Sequence, residues 1–245
     1  MPLLSEAEYV RAREAYSYVD PGVTFDVVQT GTLPYTGSFR GVFSRNAPHP
    51  AGVNLRKFEA ICETVFSDAS TAEDVRSSTA AHRENIKSLT LAIVHWKMAS
   101  QSGRGREANV RKCWKESTYG QLICAYQHRS LSEFRIAGVR IPTASALLRF
   151  THSDEYGIMD SRVVRHTQRA GITTLSIRGS DGYINNTEEN VGKYRSEYAY
   201  FLTEEANVLS NAGVTFSDFD AGGNSIRPLF RPCDIEMALF SKQSA

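Results

Sequence analysis

The chain has 245 residues, of which 41% are hydrophobic and 22% are charged, and its formal net charge is +1. This length and composition suffice for a hydrophobic core in one large domain or two small ones. Neither a membrane span nor a secretory signal is expected, because no apolar run reaches about 18 residues and the first residues are charged. The sequence therefore predicts a cytoplasmic globular protein.

The cysteines and histidines predict no metal site and no catalytic cofactor. Cys62, Cys113, Cys124 and Cys233 lie far apart and include no CxxC pair. Zinc sites, iron–sulphur clusters and disulfide scaffolds are usually built from more closely spaced cysteines. The histidines are scattered in the same way. We expect reduced thiols that are buried or half-buried.

The first 53 residues predict an irregular N-terminal cap, because they are rich in glycine, proline, threonine and aromatic residues. The stretch VTFDVVQT, residues 23–30, is a possible strand. From Leu55 onwards apolar residues recur at helical spacing, which predicts one mostly α-helical domain over residues 54–245. The predicted helices begin at Leu55 and near Ile86, then cover about 104–117, 119–128, 142–150, 161–169 and 187–211, with a last short one over 231–242.

Positive charge is concentrated in the middle of the chain. Residues 95–170 contain thirteen Lys and Arg against six Asp and Glu, an excess of seven, so that the rest of the chain carries −6. The stretch SQSGRGREANVRKCWKES supplies candidate ligands for a phosphate backbone in Arg104, Arg106, Arg111 and Lys112. A solvated linker would have a similar composition.

The stretch SLSEFRIAGVRIPTASALLRF, residues 130–150, predicts a short helix, a tight turn and a second helix with Pro142 in its first turn. Gly138 permits a close approach of another molecule to the backbone of the turn. The N-terminal end of the second helix adds partial positive charge, so a phosphate oxygen fits over the turn. Tight packing of two helices would require a glycine equally often.

The stretch GIMDSRVVRHTQRAGI, residues 157–172, places Asp160 at the start of a short, arginine-rich helix. Aspartate is a common N-cap residue, because its carboxylate accepts hydrogen bonds from backbone N–H groups that the helix leaves unpaired. Capping alone would account for Asp160.

Together these two stretches resemble the helix-hairpin-helix DNA glycosylase superfamily, whose signature is a LPGVGxxTA hairpin followed by VDxHVxRxxxRLGI. The matching residues are Ile136, Gly138, Val139, Thr143 and Ala144 in the hairpin, and Asp160, Val163 or Val164, Arg165, Arg169, Gly171 and Ile172 in the second part. The match covers about 40 residues, in the family order and at nearly the family spacing. The chain also resembles small bacterial relatives of 8-oxoguanine glycosylases that lack an iron–sulphur cluster.

The resemblance implies a two-lobed helical fold and a catalytic role for Asp160. In the family the corresponding aspartate stands where the sugar of a flipped nucleotide arrives. There its charge stabilises the oxocarbenium-like sugar or orients the attacking water. Family members that also cut the strand carry a nucleophilic lysine where this chain has Pro142, so a monofunctional enzyme is expected. Lys97 or Lys112 could still supply an amine.

The expected partner is double-stranded DNA with a flipped base, bound by a monomer. The expected DNA-binding residues are Gly138, Val139, Arg140, Thr143, Arg162 and Arg165, with Arg104, Arg106, Arg111 and Lys112 of the basic stretch. Arg140 replaces the second glycine of the family hairpin, and its side chain would add a phosphate contact. Trp96, Trp114 and Tyr156 are candidates for a base pocket, although at least two of them are expected in the core. The target would be an oxidised or alkylated purine, or a hypermodified phage base.

Two other classes of protein remain open from the sequence. A non-catalytic helix-hairpin-helix DNA-binding module would have the same hairpin and basic stretch, but its binding would not depend on Asp160. An interaction protein on a degenerate glycosylase scaffold would show no salt-dependent affinity for DNA, whereas a protein that binds phosphates must lose affinity steeply as salt rises.

Overall fold

The computed structural model describes residues 2–16, 24–28, 38–43, 52–70, 80–97, 101–179 and 182–244. Only the backbone is described for 24, 28, 38–43, 52, 69–70, 101–106 and 243–244. These residues are mostly helical, which confirms the predicted fold class at that level. They form two compact units: the first comprises Met1–Ser17, Arg140–Asp218 and Ser225–Ala245, and the second comprises Tyr18–Val139 and Phe219–Asn224. This division differs from the predicted boundary between residues 53 and 54.

The helices in chain order are α1 (Glu6–Glu14), α2 (Leu55–Ser70), α3 (Ala80–Lys97), α4 (Gln101–Cys113), α5 (Glu116–His128), α6 (Ile141–Thr151), α7 (Ser161–Arg169), α8 (Glu188–Lys193), α9 (Tyr200–Asn211) and α10 (Pro232–Ser244). A π-helix, Tyr194–Ala199, joins α8 to α9. The strands are β1 (Thr24–Val28), β2 (Ser38–Phe43), β3 (Gly52–Val53), β4 (Ile177–Arg178), β5 (Tyr183–Ile184), β6 (Asp218–Phe219) and β7 (Ser225–Ile226).

The second unit packs a three-stranded sheet against helices. β1 pairs antiparallel with β2, β2 pairs parallel with β3, and β1 contacts α3. The strand predicted at residues 23–30 is present as β1. The predicted apolar stripe of α2 is buried, with Phe58, Ile61 and Val65 all at 1% exposure or less. Burial of this face is what holds α2 against α3 and α5.

The first unit is built around α6, which is almost wholly buried. Helices α1, α7 and α9 each pack on α10. The long helix predicted over 187–211 is one continuous helical stretch, but its central turns are π-helical. Tyr194 and Tyr198 in the π-helix are both buried at 1% exposure or less.

Helix α1 corrects the prediction of an irregular N-terminal segment. Ser5 and Glu8 form a capping box at its start, with the Ser5 amide donating to the Glu8 carboxylate at 3.0 Å. Periodicity did not reveal this helix, because it is highly charged and buries only Tyr9, Ala12 and Arg13. Its contact with α10 therefore includes a buried ion pair, in which Arg13 of α1 meets Asp234 of α10.

The first helix of the predicted hairpin is also corrected. Residues 131–134 form a hydrogen-bonded turn, with the amide of Phe134 donating to the carbonyl of Ser130 at 3.2 Å. Arg129 ends α5 in the left-handed region at φ 51°, and residues 130–140 contain turns but no regular helix. The division between the two units falls between Val139 and Arg140, inside the hairpin sequence.

A glycine in the left-handed region follows each of the helices α7 and α9. Gly213 follows α9 with φ 71°, and Gly171 follows α7 with φ 71°. After α7 the amide of Ile172 donates to the carbonyl of Thr167 at 2.9 Å, which closes the helix end. The Gly171–Ile172 pair of the motif thus has a structural role.

The four cysteines form no disulfide in the described part of the chain. Cys62 and Cys233 are buried and Cys113 is half-buried, whereas Cys124 on α5 is exposed, contrary to the prediction. None of the helices described is both long and apolar enough to cross a lipid bilayer.

Candidate functional site

Asp160 is the N-cap of α7. Its backbone is extended (φ −87°, ψ 139°), and its carboxylate accepts a hydrogen bond from the amide of Arg162 at 3.0 Å. Asp160 as a whole is half-buried. The capping role considered from the sequence is therefore present.

Each of the three residues before Asp160 is held by a hydroxyl group, two of them from the π-helix and one from α6. The Tyr194 hydroxyl donates to the carbonyl of Gly157 at 2.7 Å, and the Tyr198 hydroxyl donates to the carbonyl of Ile158 at 2.7 Å. The amide of Met159 donates to the Ser145 hydroxyl at 2.9 Å. We call Tyr194, Tyr198 and Ser145 the hydroxyl clamp.

Ser145 links the clamp to the start of α6. Its hydroxyl accepts from Met159 and donates to the carbonyl of Pro142 at 2.9 Å, so one side chain joins the first turn of α6 to the residue before Asp160. Burial raises the pKa of both clamp tyrosines well above the ordinary phenol value, and negative neighbours that include Glu236 raise them further. Both phenols therefore stay protonated and keep donating at neutral pH.

Gly157 lets the segment before Asp160 pack closely against the rest of the unit. A Cβ atom at this position would lie 2.5 Å from Cδ1 of Leu202 and 2.9 Å from Cβ of Glu236. No larger residue fits here without a shift of α9 or α10. The backbone leading to Asp160 is thus fixed by packing as well as by hydrogen bonds.

Three arginines form an exposed face on α7. Arg162, Arg165 and Arg169 are exposed and are spaced by three and four residues, which places them on one side of the helix. The Arg162 guanidinium lies over the Phe240 ring, 4.8 Å from its centre. Burial, with Arg169 and then Lys242, lowers the pKa of His166 on the same helix. This face of the first unit is therefore electropositive beside Asp160.

The predicted hairpin residues divide into exposed and buried positions. Gly138, in the second unit, is exposed with φ 85°, and its Cβ position lies 3.1 Å from Cγ2 of Val110. Arg140, in the first unit, is exposed as the N-cap residue of α6. Val139 and Thr143 are each only 5% exposed.

The burial of Val139 and Thr143 corrects the prediction that these two residues contact DNA. The amide of Val139 donates to the carbonyl of Ile136, and that of Thr143 donates to the carbonyl of Arg140, both at 2.9 Å. Each therefore completes a turn of this protein. Within the described ranges the amide of Gly138 in the second unit and that of Arg140 in the first unit each donate to no backbone or side-chain acceptor.

Of the basic stretch, residues 101–113 form α4 and residues 116–117 begin α5, both in the second unit. Residue 100 lies outside the described residues. The side chains of Arg104 and Arg106 lie outside what the structure describes. Arg111 is exposed and paired with Glu107, its Nη2 lying 2.7 Å from Oε1, while Lys112 is exposed. Arg111 also lines a cavity of about 370 Å³ between β1, α3 and α4, together with polar residues such as His95.

The three candidate pocket aromatics have different surroundings. Trp96 and Trp114 are half-buried and belong to the second unit. Tyr156 belongs to the first unit, is only 5% exposed, and stacks on Tyr194 with ring centres 6.1 Å apart. This packing places Tyr156 in the core of the first unit, an alternative that the sequence left open for these residues. Its role in a base pocket stays a prediction.

The hydroxyl clamp was not identified as functional from the sequence. Periodicity predicted Tyr194 and Tyr198 on one apolar face of a long helix, and that face is indeed buried. The signal for a polar role was the choice of tyrosine instead of phenylalanine at both positions, since a buried phenol usually has a hydrogen-bond partner. Ser145 carried no comparable signal.

In the described part of the chain no group of three His, Cys, Asp or Glu side chains is placed to hold a metal ion.

Comparison of the chain with protein-family models, with curated proteins and with solved structures finds no match. Membership of the glycosylase superfamily therefore stays a proposal from the motifs.

Proposed function

We propose that this protein is a DNA N-glycosylase that binds DNA, accepts a flipped nucleotide and hydrolyses its N-glycosidic bond at Asp160. One observation carries the proposal. Asp160 is half-buried, the hydroxyl clamp holds the three residues that precede it, and the helix that it caps exposes three arginines. The motif likeness of both stretches supports the same chemistry. The simplest form is a cytoplasmic monomer.

In the proposed reaction the bond between C1′ of the sugar and the base nitrogen breaks, and its electron pair leaves with the base. Positive charge develops on C1′ and O4′, where the Asp160 carboxylate stabilises it. A water oxygen then bonds to C1′, and a water proton passes through the carboxylate to the departing base. The products are a free base and an abasic site.

A fixed carboxylate suits this reaction because stabilisation of a transition state depends on charge that is already in position. The Asp160 amide donates to the Ile158 carbonyl at 2.9 Å, and that carbonyl also accepts from Tyr198. The backbone turn before the carboxylate is thus determined by the core of the unit. Little reorganisation is needed when the sugar arrives.

Strand cleavage is not part of the proposal, because Pro142 stands where strand-cutting relatives carry their lysine. Pro142 lies in the first turn of α6 and has no amine for a Schiff base. Borohydride treatment during the reaction should therefore trap no covalent protein–DNA complex. A trapped complex would identify a lysine such as Lys97 or Lys112 as the nucleophile.

The proposed DNA contacts are electrostatic and come from Arg140, Arg162, Arg165 and Arg169 of the first unit. Each phosphate neutralised releases counterions, so the logarithm of affinity should fall linearly with the logarithm of salt concentration. Replacing Arg165 or Arg169 with glutamine should reduce that slope by about one. The target base is proposed as a damaged purine or a hypermodified phage base.

The deciding experiment is mass spectrometry of free bases released from damaged, genomic and modified-phage DNA by wild type and by Asp160→Asn. Asparagine keeps the helix cap and removes the charge. Base release and abasic sites with wild type alone are the expected result. Salt-sensitive binding without release would favour the non-catalytic DNA-binding module, and absence of salt-dependent binding would favour an interaction protein.

A further inference from the structure

The short hairpin formed by β4 and β5 presents an aromatic ring beside an arginine. The strands pair antiparallel, with Ile177 opposite Ile184 and Arg178 opposite Tyr183. Side chains alternate between the two faces of such a pair, so Arg178 and Tyr183 share one face. Ile184 is 5% exposed, whereas Tyr183 is 54% exposed. The outer face of the hairpin therefore carries Tyr183 and Arg178 towards solvent.

A buried asparagine holds the open end of this hairpin. Asn190 has no exposed surface, and its side-chain oxygen accepts from the amide of Ser176 at 2.8 Å. Its side-chain nitrogen donates to the carbonyls of Ser176 and Asn185, both at 2.8 Å. Ser176 precedes β4 and Asn185 follows β5, so one side chain joins the two strands where they enter the core. The open end of the hairpin that carries Tyr183 is thus attached to the core through Asn190.

The hairpin is also attached to both elements of the proposed DNA face in the first unit. The Asn186 side chain accepts from the amide of Ile141 at 3.2 Å, at the start of α6 and next to Arg140. A Cβ atom on Gly182 would overlap the guanidinium of Arg165, so this α7 side chain lies across the Gly182 backbone. Residue 182 has φ 65°, and glycine is the residue type that adopts this conformation without strain and has no Cβ atom to overlap Arg165.

A single exposed aromatic residue is ordinary, and Tyr200 on α9 is 62% exposed. The surroundings of Tyr183 differ from an ordinary surface. Arg178 lies opposite it in the strand pair, and Arg165 lies on the adjacent residue. Proteins bind unstacked bases with this combination, in which an aromatic ring stacks on the base while neighbouring cations bind the backbone.

We propose that Tyr183 stacks on an unpaired base of DNA while Arg165 and Arg178 bind the adjacent phosphates. The inference rests on the proposed function in one respect, that DNA is the partner. A nucleotide that leaves the double helix also leaves neighbouring bases without their stacking partners. Tyr183 supplies a π-face for such a base, and the hairpin keeps the strand beside α7.

The test measures DNA affinity by fluorescence anisotropy with the full chain. The probes are a labelled single-stranded oligonucleotide of about 15 nucleotides and the fully paired duplex of the same sequence. Tyr183→Ala should weaken binding of the single strand by about tenfold, because stacking contributes roughly that factor per base. Tyr183→Phe should bind like wild type, since the ring is kept. Tyr200→Ala is the matched control and should change affinity by less than about twofold.

The inference is overturned if Tyr183→Ala binds the single strand as wild type does, if the fully paired duplex loses affinity equally, or if wild type binds neither probe. Thermal unfolding of each variant checks that the fold is intact. Failure of the proposed function has a different signature. Tyr183-dependent binding without base release from any DNA contradicts the glycosylase alone, whereas Asp160-dependent release with unchanged binding by Tyr183→Ala contradicts this inference alone.

Discussion

The hydroxyl of Tyr198 donates a 2.7 Å hydrogen bond to the carbonyl of Ile158, the same carbonyl that accepts the amide of Asp160. The Gly157 carbonyl one residue earlier accepts from the Tyr194 hydroxyl at 2.7 Å. Two residues one helical turn apart therefore shape the backbone that carries the proposed catalytic carboxylate. Both tyrosines lie in the π-helix. π-Helical turns in proteins occur frequently at functional sites, and this one contacts the backbone that leads to Asp160.

The clamp tyrosines should differ in their contribution to stability. Tyr194→Phe leaves the buried Gly157 carbonyl without its tyrosine donor and should lower the free energy of unfolding by about 1–3 kcal/mol. Tyr198→Phe should cost only about 0.5–1.5 kcal/mol, since Ile158 still accepts from Asp160. Urea denaturation of both variants measures the difference. A larger loss in Tyr198→Phe would contradict this account of the clamp.

Two glycines of the first unit should respond oppositely to alanine. Gly157→Ala places a methyl group 2.5 Å from Leu202 and should destabilise the protein by about 1–3 kcal/mol. Gly192→Ala, in α8 with no atom within 4 Å of the new methyl group, should stabilise it by about 0.5–1 kcal/mol. Thermal and urea unfolding measure both. Equal effects of the two substitutions would show that close packing at Gly157 is not what requires glycine.

Substitutions at Asp160 should separate capping from catalysis. Asp160→Ala removes the acceptor for the Arg162 amide and should cost about 1 kcal/mol of stability. Asp160→Asn keeps an acceptor and should remain within a few tenths of a kcal/mol of wild type. Urea denaturation provides this comparison alongside the base-release assay. If both variants lost the same stability, the cap would depend on the charge and not on the hydrogen bond.

The protein should lose stability in alkali. Burial raises the pKa of Tyr16, Tyr194 and Tyr198 above the ordinary phenol value, with Glu236 adding to each shift. In the unfolded chain these phenols ionise near pH 10, whereas in the folded protein they stay protonated. Stability is therefore unaffected by them below about pH 10 and falls above it, by about 1.4 kcal/mol per pH unit for each tyrosine.

Urea denaturation between about pH 8 and pH 11 measures this dependence. Tyr16→Phe should reduce the alkaline slope by the contribution of one group, and the exposed Tyr200→Phe serves as the control. A flat stability curve above pH 10 would mean that these phenols ionise in the folded protein as readily as in the unfolded chain.

The buried ion pair between α1 and α10 should be essential to the first unit. Nε of Arg13 lies 2.9 Å from Oδ1 of Asp234, and the two side chains are at most 3% exposed. Arg13→Met removes one of the two arginines that pair with Asp234, and Arg231 stays at 3.0 Å as the other. Because hydrogen bonds to charged groups contribute about 1.5–3 kcal/mol each, the substitution should cost about that much. Arg11→Met on the exposed face of α1 should change stability by less than about 0.5 kcal/mol. Chemical denaturation measures the free energy of unfolding of both variants. Equal losses in Arg13→Met and Arg11→Met would show that the ion pair does not stabilise the packing of α1.

The helices and the cap of the candidate site could be predicted from the sequence, because their signals are local. Apolar periodicity located α2 and α3, Asp160 marked the start of α7, and Pro142 occupied the first turn of α6. The fold class is confirmed at the level of a mostly helical protein. The catalytic role of Asp160 and the DNA contacts stay predictions.

Helix α1, the clamp and the hairpin around Tyr183 were decided only by tertiary structure. The clamp hydroxyls of Tyr194 and Tyr198 reach carbonyls 37 and 40 residues away, and Arg13 reaches an aspartate 221 residues away. Such contacts leave no periodic pattern, since a buried polar group is compatible with the core only when its distant partner is present. The sequence by itself determined where α2, α6 and α7 lie, because their signals come from neighbouring residues. Which polar groups meet around Asp160 depended on how the helices pack.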